Sequence, residues 1–337
     1  MNPLPLGKLP AKLLSELFTL LPGGPRVVLG PRTGEDAAVI DLGTRYLVLK
    51  TDPITFATEQ IGWYAVQINA NDIATTGAQP LWFLATILLP ERTATEEMAR
   101  AIFTQIADAC REMSVAVVGG HTEITAGLDR PIVVGCMVGE VAKDKLIRTG
   151  GAQPGDLILL TKGAPIEAAS IIAREKRDAL AGQFSAEMLE HCANFLYDPG
   201  ISVVRDARIA AEVGGVTSMH DPTEGGVLTA LWELAEASGC ALEVDLYGDR
   251  QPWLPDAVAL CAALQLDPAA AIASGALLLT VRPDRLAALQ AAYRQANIPI
   301  FHLGQIAAGA PAVRDRTRGV LARPLRDEIA RLFDSND

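Results

Sequence analysis

Two apolar runs, Ile61-Gly-Trp-Tyr-Ala-Val-Gln-Ile68 and Leu81-Trp-Phe-Leu-Ala-Thr-Ile-Leu-Leu89, enclose the stretch Asn69-Ala-Asn-Asp-Ile-Ala-Thr-Thr-Gly-Ala-Gln-Pro80. The spacing predicts a helix over 62–76, stopped by Gly77 and kept from restarting by Pro80. On it Asn69 and Asp72 share a face, and Thr76 lies one turn beyond Asp72. Helix interiors disfavour Asn and Asp, whose side chains compete for backbone hydrogen bonds. Asn69, Asn71 and Asp72 between two apolar segments therefore point to a polar ligand. A solvated helix face is the competing reading.

The 337 residues suffice for two domains with a large core. Half are hydrophobic and a fifth charged, a soluble globular balance. A net charge of −11 argues against nucleic acid or an anionic membrane as the main partner. No apolar run reaches the roughly 20 residues of a membrane span. The first eight residues lack the basic, apolar, small order of a signal peptide. Five cysteines are scattered without a C-x-x-C pair, and read as reduced, mostly buried thiols of a cytoplasmic protein.

In chain order, residues 9–21 read as a short amphipathic helix ended by Pro22-Gly-Gly-Pro25. Gly34-Glu-Asp36 turns into a strand to Asp41, and Tyr46–Asp52 is a second strand ending in an acid. Thr93 or Thr95 caps a helix to about Met113. Ser114–Val118 reads as a buried strand from its β-branched content, running into Gly119-Gly-His-Thr-Glu-Ile124. Another strand covers 131–141, and Gly150–Asp156 is the best linker candidate. Beyond it come a strand at 157–161, helical segments to Val213 and a polar, glycine-rich junction over Gly214–Gly226. Helix 227–237, strands 242–246 and 276–281, helix 283–296 and a last helix near 324–333 complete the chain. The pattern predicts two α+β domains, 1–149 and 150–337.

Asp36, Asp52, Asp72, Glu123, Asp221 and Glu224 all sit where an element meets a turn. Carboxylates there suit Mg²⁺ shared with substrate phosphates. Gly119-Gly120 and Gly225-Gly226 allow backbone N–H groups to face phosphate oxygens, as does the start of helix 227–237. Taken singly, each acid reads as a cap or surface charge. Walker A, G-x-G-x-x-G, H-E-x-x-H, hydrolase-elbow and protein-kinase patterns are missing in a usable context. Lys50 either meets a phosphate or is solvated, and His220 either polarises a substrate or makes a structural hydrogen bond. Trp63, Trp82 and Trp232 read as core.

In this order the junctions resemble the aminoimidazole ribonucleotide (AIR) synthase superfamily. Gly34-Glu-Asp-Ala-Ala-Val-Ile40 resembles its G-D-D-A-A-V-I, Thr51-Asp52 its strand-end T-D, and Asn69–Pro80 its N-x-N-D-[IL]-A-x-x-G-A-x-P. Gly119-Gly-His-Thr122 resembles G-G-D-T, Gly151–Asp156 the start of the second domain, and Asp221-Pro-Thr-Glu-Gly-Gly226 the D-x-T-x-G-G of the hydrogenase-maturation branch, HypE. Ser274-Gly-Ala-Leu277 matches a late S-x-G-A-L loosely, and Gly7-Lys-Leu-Pro10 also points to HypE and its unassigned relatives. The match spans almost the whole chain.

The resemblance implies an α/β N-terminal domain whose strands form a barrel across a homodimer, and an α/β sandwich after it. It implies ATP in a cleft, with Mg²⁺ on Asp36, Asp52 and Asp72. Lys50, Asn69, Asn71, Gly119, Gly120, His121 and Thr122 would border the nucleotide, joined by Thr223, Glu224, Gly225 and Gly226 from the second domain. The catalytic candidates are Asp72, His121 and Asp221. His121 stands where the family has Asp, so either His121 bonds a phosphate or second substrate, or Glu123 supplies the acid, or the histidine has no catalytic role. HypE ends in a reactive cysteine, whereas Arg331–Asp337 contains none. The expected function is ATP-dependent activation of an amide, carboxamide or phosphate oxygen of a small substrate. The alternative is a non-catalytic nucleotide-binding protein that docks a maturation partner.

Overall fold

The computed structural model describes residues 4, 9–32, 34–55, 59–248 and 251–333. Gly7-Lys8 and the last four residues, Asp334–Asp337, on which part of the resemblance and the terminal argument rest, lie outside them. The chain divides into two units, one of Gly23–Gly30 with Asp36–Leu146 and one of Met1–Pro22, Pro31–Glu35 and Ile147–Asp337. A short helix, α1 (Ala11–Phe18), belongs to the latter. No helix among the described residues is long and apolar enough to cross a membrane.

The first unit contains β1 (Val27–Leu29), β2 (Ala38–Asp41), β3 (Arg45–Ile54), α2 (Ile61–Thr75), β4 (Gln79–Pro90), α3 (Glu96–Glu112), β5 (Ala116–Thr125) and β6 (Ile132–Ala142). Its six-stranded sheet runs β1-β2-β3-β6-β4-β5. Side chains alternate across a strand, so one face carries the buried Val48, Ile54, Phe83, Ile87, Val133 and Met137. On that face lies α2, every residue of which is buried except Trp63. The polar residues 69–72 are therefore part of the interior and not a solvated face. Gly77, at φ 77°, ends the helix turn and donates its N–H to the Ala74 carbonyl. Thr95 caps α3, its side chain accepting from the Met98 N–H at 3.1 Å.

Two readings of this unit change. Glycines 119 and 120 do not form a loop: β5 runs through them, parallel to β4, to Thr125. Nor are Ala116–Val118 buried, because β5 pairs only with β4 and ends the sheet. Its β-branched content reflects strand propensity, not burial.

The second unit contains β7 (Leu157–Thr161), α4 (Ile166–Glu175), α5 (Arg177–Leu180), α6 (Ala186–Ala193), α7 (Val204–Val213), β8 (Val216–His220), α8 (Gly226–Ser238), β9 (Ala241–Val244), α9 (Pro255–Ala263), β10 (Leu278–Val281), α10 (Leu286–Gln295), β11 (Ile300–Ala307), β12 (Ala312–Asp315) and β13 (Gly319–Val320). The sheet order is β13-β12-β9-β11-β7-β10-β8. Val227, Leu231 and Leu234 of α8 pack with Ile158, Leu242 and Leu278 in its core. The glycine-rich junction at 214–226 thus conceals a strand, β8, between two turns. The stretch 150–156 is not a free linker either. Ser218 donates to the Thr149 carbonyl at 2.7 Å, and the Thr217 hydroxyl donates to Asp156 at 2.6 Å, which ties it to β8. The last helix shrinks to a 3₁₀ turn at Ile329–Phe333. Trp63, Trp82 and Trp232, read as core, are half-buried; Trp232 donates its ring N–H to the Leu321 carbonyl at 3.2 Å.

Candidate functional site

Lys50 and Asp52 are two apart on β3, so both project from the face that α2 covers. Asp72 descends onto them from α2. Lys50 Nζ lies 3.2 Å from Asp52 Oδ2 and 3.2 Å from Asp72 Oδ2. The lysine and Asp72 side chains are 18% and 5% exposed, against 38% for Asp52. The corner is thus closed on the helix side and open beside Asp52.

Asn69, expected to border the nucleotide, is built into the frame of the corner. It is fully buried; its Oδ1 accepts the Asp52 N–H at 2.9 Å, and its Nδ2 donates to the Ala65 carbonyl at 2.9 Å and the Asp52 carbonyl at 3.3 Å. Asn71 is also fully buried. Asp36 stands half-buried ahead of β2. The antiparallel register sets Ala38 opposite Leu49, so the chain enters β2 from the Asp52 end of β3.

His121 and Glu123 fall elsewhere. In the β4–β5 register Ala85 pairs with Gly120 and Thr86 with His121. Ala85 is on the helix-covered face, so Gly120 and Thr122 share that face while His121 and Glu123 point to the opposite one. The structure does not bring them to Lys50, Asp52 and Asp72. His121 Nε2 instead meets Glu123 Oε2 at 3.1 Å, and the Thr125 hydroxyl donates to Glu123 Oε1 at 2.7 Å. The Thr125 bond, then the His121 contact, holds the Glu123 carboxyl below its ordinary range. Gly120 has a steric reason to be glycine: a Cβ there would stand 2.1 Å from the Ala85 carbonyl oxygen.

In the second unit, His220 ends β8 buried, its Nε2 2.9 Å from Glu233 Oε2, while Arg323 reaches the other Glu233 oxygen at 3.3 Å. This contact is the hydrogen bond that the structural reading of His220 expects. Asp221 follows, 1% exposed. The glycine turn into α8 was expected to offer N–H groups to phosphate. Here the Gly225 N–H donates to Asp327 Oδ2 at 2.5 Å and the Gly226 N–H to the Thr223 carbonyl at 2.9 Å. An acid from the C-terminal segment thus satisfies this helix start.

Sequence reasoning missed two acids there. Glu167, in the first turn of α4, is 5% exposed; burial pushes its carboxyl up to about 8, the Ser274 hydroxyl opposes this, and Glu224, Asp327 and Asp221 add to it. Asp327 is pushed up to about 6 by burial, against the N–H bonds it accepts. The available signal for Glu167 was an acid inside the apolar run Ala164-Pro-Ile-Glu-Ala-Ala-Ser-Ile-Ile172.

Comparison with known proteins follows the same division. The family model described as AIR synthase related protein, N-terminal domain, matches residues 34–141, and its C-terminal counterpart matches residues 153–315. The carbamoyl dehydratase HypE of Cupriavidus necator is 32% identical over 297 residues, covering 86% of this chain and 79% of that protein. A crystal structure of the hydrogenase maturation protein HypE in complex with ATP superposes with a TM-score of 0.69 at 23% identity, over 86% of this chain and 87% of that one. The HypE–HypF complex gives 0.73 at 21% identity, over 93% and 99%. These likenesses agree with the mixed α/β, two-sheet architecture.

Proposed function

The chain belongs to the AIR synthase related family, and on that premise we propose that it is an ATP-dependent enzyme acting on a small molecule. It binds ATP at the Lys50–Asp52–Asp72 corner and transfers the γ-phosphoryl group to an amide, carboxamide or phosphate-type oxygen. The observation that carries this reading is the lysine ammonium held 3.2 Å from two carboxylates at a partly open corner. Catalysis of phosphoryl transfer is mainly positioning and charge stabilisation. Lys50 supplies the positive charge, Asp72 and Asp52 aim it, and Asn69 fixes the backbone that carries Asp52. With Lys50 standing between them, Asp52 and Asp72 do not fit a shared Mg²⁺. His121 and Glu123 are outside this set, and Asp221 stays a candidate for substrate binding by the second unit.

The working form in this reading is a homodimer with a shared barrel. The sheet face opposite α2 carries the half-buried Leu47, Leu49, Trp82, Leu84, Val134 and Cys136, and the edge strand β5 is exposed over nine of its ten residues. An apolar face and a long free edge need a cover, and a second copy supplies both.

A second reading, a nucleotide-binding protein that docks a maturation partner without turnover, draws support from the likeness to HypE in the HypE–HypF complex. Calorimetry with ATP tests the first step: Lys50→Met is expected to bind about tenfold more weakly than the natural chain, and equal affinity overturns the site. Release of ADP, accelerated by an added metabolite, separates the enzyme from the docking protein.

A further inference from the structure

We propose that Lys50 is a built-in cation, taking the place between Asp52 and Asp72 that a chelated divalent ion would need, so that this pair binds no free divalent metal while the lysine is present. Nζ is equidistant from the two carboxylates, at 3.2 Å from Oδ2 of each. An Mg²⁺ shared by the pair would have to sit about 2.0–2.1 Å from an oxygen of each, within the space the ammonium fills. Asp52 rides on backbone that Asn69 grips through both its N–H and its carbonyl. Asp72 belongs to a helix turn buried on all sides, with Asn71 and Ile73 at zero exposure.

Charge leads to the same conclusion. Lys50 already offsets part of the negative charge of Asp52 and Asp72, and chelation of a dication is favoured by both carboxylates. A divalent ion entering beside Lys50 would bring like charges within a few ångströms in a partly buried site, where water screens them poorly. The metal must displace the lysine ammonium from between the two carboxylates. A lysine in this position is independent of metal concentration and indifferent to chelators. It presents a compact ammonium with rotatable donors, suited to phosphate oxygens.

The inference rests on the nucleotide reading only for what the charge is used for, and its test contains no nucleotide. The full chain is titrated with Mn²⁺ alone, the free ion being followed by electron paramagnetic resonance. The natural chain and Asp72→Asn are expected to bind Mn²⁺ equally weakly, because the pair is already occupied. Lys50→Met removes the ammonium from between the two carboxylates and is expected to bind Mn²⁺ at least tenfold more tightly, a gain that Lys50→Met/Asp72→Asn abolishes. Lys50→Met binding no more tightly than the natural chain overturns the proposal. So does affinity in the natural chain that falls on Asp72→Asn, a comparison that decides even where Lys50→Met does not fold. Failure of ATP to bind leaves these outcomes untouched, so the two readings fail separately.

Discussion

Asn69 holds Asp52 from the side: its Oδ1 accepts the Asp52 N–H at 2.9 Å and its Nδ2 donates to the Asp52 carbonyl at 3.3 Å. The helix α2 is thereby fastened to β3 by a polar clasp within an apolar layer, on the same residue whose carboxylate faces Lys50. A clasp of this kind is costly to break because Asn69, which forms it, is fully buried. Asn69→Leu is expected to lower stability by about 1–3 kcal/mol, since the Asp52 N–H and two carbonyls lose their partner together. Equilibrium urea unfolding checks it. Asn69→Asp preserves shape but turns the donor into an acceptor facing the Ala65 carbonyl, and is expected to be at least as damaging.

The clasp needs room, and β6 provides it at Gly135. A Cβ there would stand 2.4 Å from Asn69 Nδ2 and 2.9 Å from both the Ala65 carbonyl and the Phe83 ring. Gly135→Ala is therefore expected to cost about 1–3 kcal/mol through overpacking, although alanine is the better strand residue. A thermal midpoint unchanged within a degree would refute this account of the glycine.

Much of this unit was legible because its signals are local. The three-residue spacing of Asn69 and Asp72 correctly put both on one helix face, and Gly77 and Thr95 acted as stop and cap. What escaped depended on the neighbour across the sheet. Gly119-Gly120 looks like a loop in sequence, yet Gly120 is the residue that fits against the Ala85 carbonyl of β4, a contact no local pattern contains. The face of His121 follows from the β4–β5 register, which includes a shift near Phe83 and Leu84; one position of register moves a side chain to the other face. Asn69 and Lys50 were found as residues but not as roles, since the clasp and the ion pair join elements separated in the chain. Glu167 was invisible because Asp221 and Asp327, which surround it, arrive from far along the sequence.

Glu167 should make stability depend on pH. Its carboxyl is near 4.5 when unfolded and about 8 when folded. Between those values the folded state keeps a proton that the unfolded state releases, so stability falls as pH rises. The contribution is intact below 4.5 and lost as pH climbs through about 8, a change on the order of 4 kcal/mol for a fully buried group. Glu167→Gln has nothing to titrate. Its stability relative to the natural chain is expected to improve steadily from pH 5 to pH 8, as measured by chemical unfolding at each pH. A constant difference would mean that Glu167 ionises freely in the folded protein.

Association in solution is expected through the sheet face opposite α2. The natural chain should show the mass of a dimer by light scattering at micromolar concentration. Leu84→Glu puts a charge in the middle of that face, beside the half-buried Cys136 with which Leu84 is in register, and should yield monomers. Because α2 lies on the other side, circular dichroism of the variant should match the natural chain. A natural chain that is monomeric removes the shared barrel from the reading.

The cysteines of this sequence should be poor nucleophiles, which bears on any likeness to a carbamoyl dehydratase. Burial pushes the thiols of Cys110 and Cys192 up to about 11 and that of Cys261 up to about 12, and it raises Cys136 as well. Cys240 is buried, its sulfur donating to the Ser238 carbonyl at 3.5 Å. The thiolate is the reactive form, so at neutral pH the three most raised thiols should react at least about a hundredfold more slowly than an ordinary cysteine. Native protein treated with iodoacetamide should gain little mass, with Cys136, half-buried on the face the second copy is expected to cover, labelled more readily in the Leu84→Glu variant than in the natural chain. Incubation with a carbamoyltransferase partner, carbamoyl phosphate and ATP should leave the intact mass unchanged. A stable carbamoyl or cyanide adduct on any of these five residues would show that a thiol of this chain carries the reacting group, and would replace the free small-molecule acceptor with a protein-bound one.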